Sequence, residues 1–490
     1  MKVRELLEGC SVRTTAGDLD TEILGLAYDS RDVSPGYLFA AIRGTRTDGN
    51  RYVPQAIAKG AAAVLSASPS IESIAMPWIQ VDDERAALAA LAGNFFGHPT
   101  EKLHLIGVTG TNGKTTTTYV VESILKAAGH PAAVFGTIEY RGPGFDYPAE
   151  RTTPEAPDLE RLFRQVADAG WRHAVMEVSS HAIEMKRVMD LRFEVAVFTN
   201  LSRDHLDFHG DIESYFRAKR RLFEGQNGVM PRLMVLNMDD PRFEDLRSIE
   251  PSRVVTYGMQ VASDICPLRH HFGWDGTGVT YKTPLGELEV RTSLMGKPNL
   301  YNMGAAIGVA VGLGIPAEAI RRGLQELRNV PGRFEVVSAG QPFRVIVDYA
   351  HTEDALEKVL ESAREITSGR VIVVFGCGGE RDRTKRPAMG AVAVRESDHA
   401  IVTSDNPRGE DPMAIIGEIE EGMKGVRYTV CPDRREAIRS AINEAKTGDT
   451  VVIAGKGHET YQLIGQASHS FDDRLVAREF LDELVAGRNQ

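Results

Sequence analysis

Several classes of protein are excluded by what this sequence has little of. Only four of its 490 residues are cysteine, and Cys10, Cys266, Cys377 and Cys431 are scattered with no C-x-x-C pair. Neither a disulfide framework nor a zinc site is suggested, as in a protein of a reducing compartment. Positive charge is in deficit, with 57 Lys and Arg against 68 Asp and Glu and a formal charge of −11. Such a chain has no global field for nucleic acid or an anionic membrane, although a local basic pocket for a phosphorylated small molecule stays open. No apolar run is long enough to insert in a membrane: the richest, Ala305 to Ile315, is too short and too rich in glycine to span a bilayer. The first residues, Met1 to Glu8, carry acids where a signal peptide needs an apolar core. No internal repeat or low-complexity tract is present. With 42% hydrophobic and 26% charged residues, disorder, collagen and coiled coil are excluded as the dominant description. The composition reads as a cytosolic enzyme of about three domains.

What is there falls into three blocks. Residues 1–98 mix short strands with Ala-rich helices and close on the turn-like Gly97-His98-Pro99. Residues 99–331 open with the apolar run Leu103 to Val108, a glycine-rich loop and a helical stretch from Thr115 to Ala128, with Gly129 where a helix should be capped. Further short runs follow at Ala132 to Ile138, His173 to Val178, Val195 to Thr199 and Leu233 to Leu236. After Val330-Pro331-Gly332 a second series begins in residues 332–490, at Val345 to Val347, Val371 to Phe375, Ala400 to Thr403 and Val451 to Ala454. Runs of this length alternating with helical segments predict α/β domains with mostly parallel sheets. Polar residues gather where the runs end, and open parallel sheets bind ligands beyond the carboxyl ends of their strands. A site in a cleft between two such sheets is expected.

Thr109-Gly110-Thr111-Asn112-Gly113-Lys114-Thr115-Thr116 after Val108 reads as a phosphate cradle. Backbone N–H groups and a helix N-terminus would face the anion, Lys114 would neutralise it, and the Thr115 hydroxyl suits Mg²⁺. The string departs from the strict eight-residue P-loop because Val108 stands at the first glycine position; the bland alternative is a tight strand-to-helix turn. Glu177, in Glu177-Val178-Ser179-Ser180-His181, supplies a hard oxygen for Mg²⁺ or is a hydrogen-bonded strand-end acid. The loop from Asn200 to Asp207 puts His205 among acids, for metal, phosphate or structure alike. The segment Tyr215 to Phe223 is basic and helical, and by itself reads as a solvated basic face. In the last block, Asp348-Tyr349-Ala350-His351, Gly376 to Asp382, Ser404 to Arg408 and Gly455 to Glu459 each follow a run. Arg381 and Arg408 could clamp carboxylates, and Asp405, Asn406 and Glu459 could hold an ammonium, a set that suits an amino acid. Taken singly, each string is also ordinary turn chemistry.

Together these motifs, with Asp204-His205-Leu206-Asp207 and Asn299-Leu300-Tyr301-Asn302, resemble the Mur ligases in identity and order over essentially the whole chain. Asp29-Ser30-Arg31 with Pro35-Gly36-Tyr37-Leu38-Phe39 resembles the N-terminal domain of the branch that adds the third peptide residue. Asp405-Asn406-Pro407-Arg408 resembles that branch's signature for meso-diaminopimelate rather than L-lysine. The resemblance implies a small N-terminal UDP-binding domain, a central P-loop ATPase domain and a C-terminal Rossmann-like domain, with ATP and Mg²⁺ as cofactors. It implies that a D-glutamyl γ-carboxylate of UDP-N-acetylmuramoyl-L-Ala-D-Glu is joined to diaminopimelate through an acyl phosphate. Lys114, Glu177, His205, Lys219, Asp348 and His351 would carry the chemistry, and Gly110 to Thr116, Asn302 and Arg333 would bind ATP. Ser30, Thr152, Thr153, Ser179 and Arg187 would hold the muramoyl dipeptide. Arg381, Asp405, Asn406, Pro407, Arg408, Gly455 and Glu459 would bind diaminopimelate. Thr115, Glu177, His205 and Lys219, the last as a carbamate, would be the metal ligands, which reverses the solvated reading of that helix. A monomer acting only on small molecules is expected. The alternatives are the same ligation with L-lysine and a nucleotide-binding regulator without turnover.

Overall fold

Strands in this chain form where apolar runs are short, continuous and rich in Val, Ile and Ala, which suits burial on both faces of a parallel sheet. The computed structural model describes all residues except 45–46, 71–75, 226–228, 250–252, 261, 274–275, 426 and 489–490. In the middle of the chain the strands lie in the order Arg253–Tyr257, Leu233–Asn237, Val195–Phe198, His104–Thr109, His173–Glu177 and Ala132–Phe135, all parallel. A hairpin of Glu139–Gly142 and Phe145–Pro148 continues the sheet antiparallel at one edge. Alternate residues of each strand face opposite sides. Ile106 and Val108 therefore pack under the helices Lys114–Ala127 and Lys297–Gly312. Leu105 points the other way, under Ala156–Asp168 and Ile212–Glu224.

Residues 14–80 build a smaller sheet in the order Thr14–Ala16, Trp78–Gln80, Ala63–Ser66, Tyr37–Ala40 and Gly25–Ala27, parallel except at the Thr14–Ala16 edge. The last part of the chain repeats the theme with Glu335–Val337, Arg344–Asp348, Thr450–Ala454, Val371–Phe375, His399–Val402 and Thr429–Val430. Only Glu335–Val337 pairs antiparallel there.

Two features depart from the sequence reading. A separate antiparallel sheet of Cys266–Phe272, Thr277–Thr283 and Gly286–Thr292 stands in the middle block. Its strands lack continuous apolar runs; along Gly286–Thr292 buried and exposed residues alternate. The second departure is the basic helix. Arg217 and Arg221 are exposed, but Lys219 is only 1% exposed, so the solvated-face reading fails for that residue. Lys219 lies four residues after Tyr215 and three before Leu222, and so faces inward with them.

Candidate functional site in the cleft between two sheets

The glycine-rich loop leaves the carboxyl end of the strand His104–Thr109, and its glycines are demanded by space. Gly110 has φ +147°, and a Cβ there would overlap the Thr199 hydroxyl. Gly113 has φ +86°, and a Cβ there would overlap Asn302 Oδ1. Neighbouring residues pin the loop. Asn112 N–H donates to Asn200 Oδ1 (3.0 Å), and the Thr199 hydroxyl donates to the Asn112 carbonyl (2.6 Å). The helix beginning at Lys114 then directs its free N–H groups into the cleft.

Two lysines share one carbonyl. Lys114 Nζ donates to the carbonyls of Gly110 (3.0 Å) and Thr111 (2.8 Å), and Lys219 Nζ donates to Gly110 (2.8 Å). Burial holds Lys114 below the usual ammonium range, with Glu177 and Asp204 opposing. Lys219 is pushed well below it, by burial first and then by the charge of Lys114. The Lys219 ammonium also lies 4.3 Å from the Tyr215 ring centre.

Glu177 ends its strand with both oxygens engaged by Thr137, accepting from its N–H (2.8 Å) and its hydroxyl (3.0 Å). His205 has φ +54° and meets the His181 ring edge-on at 4.7 Å. Burial brings His205 down to about 3, against the pull of Asp204. Among the described residues no three His, Cys, Asp or Glu side chains converge as a ready metal site. Hard-oxygen donors lining this region include the Thr115 hydroxyl and the carboxylates of Glu177 and Asp204, the class that Mg²⁺ prefers.

The opposite wall comes from the last sheet. Arg333 Nη2 donates to Thr115 Oγ1 (3.1 Å), and its guanidinium lies on the Tyr349 ring at 4.3 Å. Asp348 accepts from the N–H groups of Phe334 (2.6 Å) and Ala350 (2.8 Å). Burial raises its carboxyl, with Arg333 opposing. His351 turns its ring back to the Tyr349 carbonyl (2.9 Å), and burial lowers it below the usual imidazole range. Asn112 Nδ2 donates across the cleft to Asp354 Oδ2 (2.9 Å). The cleft has a volume of about 870 Å³.

The structure gathers many of the expected residues here. Thr111 to Thr116, Glu177, His205, Lys219, Asn302, Arg333, Asp348 and His351 line the cleft, with Thr152 and Ser179 at one side. Asn302 is nearly buried and is held by Asn299 (3.0 Å) directly beneath Gly113. Thr153 and Arg187 stand behind this wall: Thr153 donates to the Glu177 carbonyl, and Arg187 donates to the Thr153 carbonyl and pairs with Glu155. Ser30 is elsewhere, donating to Gln55 in the first block.

The residues expected to hold an amino acid form a second cluster outside the cleft lining. Gly455 has φ +116°, and a Cβ there would stand 2.6 Å from Asp405 Oδ2. Asn406 is buried and donates to Glu459 Oε2 (2.8 Å). Arg408, at φ +52°, donates to the Gly379 carbonyl (2.8 Å), and Arg381 donates to the Glu380 carbonyl (3.2 Å). The Pro407 carbonyl packs where a Cβ on Gly379 would fall. Tyr349 joins the two regions: its ring lines the cleft and lies 5.0 Å from the ring of His458. Neither Tyr349, between Asp348 and His351, nor Lys456, between Gly455 and Glu459, has a signal of its own in the sequence.

Three family models match the chain: "Mur ligase family, catalytic domain" over residues 22–96, "Mur ligase middle domain" over 108–310 and "Mur ligase, glutamate ligase domain" over 332–457. A protein of Solibacter usitatus named UDP-N-acetylmuramoyl-L-alanyl-D-glutamate–2,6-diaminopimelate ligase is 48% identical over 485 residues, 98% of each chain. One of the same name from Gloeobacter violaceus is 48% identical over 486 residues, 99% of this chain and 98% of its own. A solved structure bearing that name aligns with a TM-score of 0.70 at 32% identity, over 99% of each chain. With its family models spread from residue 22 to 457 and relatives almost half identical along nearly their whole length, the chain belongs to the Mur ligase family.

Proposed function

We propose that this chain adds meso-2,6-diaminopimelate to the D-Glu γ-carboxylate of UDP-N-acetylmuramoyl-L-Ala-D-Glu, an ATP-dependent step of peptidoglycan biosynthesis. The observation that carries the reading is the two-sided cleft, where a phosphate loop faces Arg333 and Asp348, in a chain close to half identical to ligases of that name. Our division into residues 1–98 for the UDP end, 99–331 for ATP and 332–490 for the amino acid follows the same reading. So do a monomeric state and a cytoplasmic location, the latter in keeping with four free cysteines. No described helix is long and apolar enough to cross a membrane.

A carboxylate is a poor acyl donor at neutral pH and must be activated. Its oxygen attacks the γ-phosphorus of ATP, releasing ADP and leaving an acyl phosphate. The neutral amine then attacks the acyl carbon, the C–O bond to phosphate breaks with phosphate leaving, and the nitrogen gives up a proton to leave the amide. In our reading Lys114 and the loop N–H groups neutralise the transferring phosphoryl group. Mg²⁺ supplies further charge neutralisation when bound, and Thr115, Glu177 and His205 would hold it together with Lys219 as a carbamate. The oxygen donors fit that ion. Support for the carbamate is chemical: a buried lysine driven toward its neutral, nucleophilic amine suits addition to carbon dioxide. Arg333, from the opposite wall, reaches Thr115, so that both walls of the cleft hold their substrates in register and the second attack is effectively intramolecular.

The test is phosphate release from Mg-ATP with the UDP-linked dipeptide, comparing diaminopimelate with L-lysine. Release with diaminopimelate alone is expected. Release with lysine overturns the acceptor assignment, and release with neither, even with added bicarbonate, overturns the ligase reading.

A further inference from the structure

The string Gly455 to Glu459 contains a lysine to which no role above falls. Lys456 is completely buried just beyond the strand Thr450–Ala454. Its Nζ donates to Asn406 Oδ1 (3.0 Å) and to Glu459 Oε2 (3.0 Å). Asn406 Nδ2 donates to that same glutamate oxygen (2.8 Å), which closes a triangle. The Leu463 N–H also donates to Asn406 Oδ1 (3.0 Å). With two donors converging on the amide oxygen, the orientation of Asn406 is fixed and its NH₂ must face Glu459.

The triangle occupies Oε2 of Glu459 and leaves Oε1 outside it. Asp405, Glu459 and Lys456 together sum to one negative charge, the balance that receives a cation. Around Glu459 stand Asp405, Lys456, the tyrosines Tyr349 and Tyr461, and Arg434, which is itself paired with Asp473 at 2.7 Å.

We propose that Lys456 is a positioning residue of the acceptor pocket, holding Asn406 and Glu459 in one arrangement that fixes where the ammonium of the incoming amino acid is received. The inference rests on the functional reading above and adds to it a residue that touches only the pocket's own side chains. Without Lys456, Asn406 keeps one donor on its oxygen, and Glu459 is left beside Asp405 with no cation inside the triangle. Burial raises Glu459, the charge of Lys456 is the largest opposing influence, Asp405 raises it further, and the hydrogen bonds from Lys456 and Asn406 lower it. Removing the lysine therefore favours the protonated glutamic acid, which no longer attracts an ammonium.

The experiment compares phosphate release by wild type, Lys456→Met, Lys456→Arg and Glu459→Gln across pH. For Lys456→Met, KM for diaminopimelate should rise about tenfold or more, as expected when charged hydrogen bonds are lost, with KM for ATP and the dipeptide nearly unchanged. The acid limb of kcat/KM for diaminopimelate should move to higher pH in that variant and vanish in Glu459→Gln. Lys456→Arg keeps the charge but is wider. It should raise KM for diaminopimelate with the limb unmoved, and it carries the test if the methionine variant does not fold. A wild-type KM and limb in these variants, or a parallel rise in every KM, overturns the inference. If wild type itself releases no phosphate with diaminopimelate, the functional reading falls and takes this inference with it.

Discussion

Replacing Gly113 by alanine puts one methyl group at the point where the phosphate loop becomes a helix. Two costs are visible in the structure. The residue has φ +86°, a left-handed conformation that costs an L-residue roughly 1–2 kcal/mol. The new Cβ would also overlap Asn302 Oδ1, so Asn302 must swing away and give up its 3.0 Å bond to Asn299, a loss of about 1 kcal/mol. The sum, about 2–3 kcal/mol, acts on the loop conformation that presents its N–H groups, and reduces apparent ATP affinity by roughly 30- to 150-fold. Steady-state phosphate release gives KM for ATP directly. The Asn302→Ala variant removes the overlap but not the φ strain, so the double variant should recover about 1 kcal/mol relative to additivity. An unchanged KM for ATP in Gly113→Ala would refute the steric argument, and strict additivity would refute the part assigned to Asn302.

Two further outcomes concern stability. Arg434 and Asp473 are both completely buried and paired at 2.7 Å, with Arg434 also donating to the Ala454 carbonyl. Arg434→Met should cost about 3–5 kcal/mol because Asp473 is left as a buried, uncompensated charge, read as an earlier first transition in urea; no shift of that transition would contradict it. Glu160 is 1% exposed with neither carboxylate oxygen hydrogen-bonded, and burial, then the charge of Asp190, raises it well above its ordinary 4.5. A carboxyl raised in the folded state makes the native protein bind the extra proton, so its penalty grows as pH rises from about 4.5. Glu160→Gln should therefore gain stability relative to wild type between pH 5 and 8, and a pH-independent difference in melting temperature would refute the reasoning.

The positions of the parallel strands were legible because each continuous apolar run is a strand buried on both faces, Val371–Phe375 to the residue; their order across each sheet was not. The antiparallel sheet around Thr277–Thr283 was not, because Gly286–Thr292 alternates buried with exposed residues and Cys266–Phe272 is largely exposed and shifts register between Pro267 and Arg269. Within the site, Gly110, Gly113 and Lys114 announced themselves locally: a strand, a loop and a helix N-terminus are adjacent in the chain. Lys456 did not, since its partners Asn406 and Glu459 are 50 and 3 residues away and only the fold brings them together. Lys219 is an intermediate case. Its charge sits in a basic string, yet the spacing from Tyr215 to Leu222 already put it on the apolar face, and that periodicity outweighs composition.

The shared Gly110 carbonyl sets the two lysines in different electrostatic surroundings. Lys114 and Lys219 bring two buried ammonium groups to one acceptor, and the charge of Lys114 is the second largest influence pushing Lys219 toward neutrality. Glu177 and Asp204 offset part of the cost of burying Lys114, whereas Lys219 has Asp204 alone. Lys114 begins the loop's own helix and faces the space where phosphate oxygens would arrive, so a bound nucleotide relieves its burial. Lys219 comes from a different helix and approaches the loop from the side of Tyr215. For that residue the carbamate we propose would turn the like-charge contact with Lys114 into an attraction.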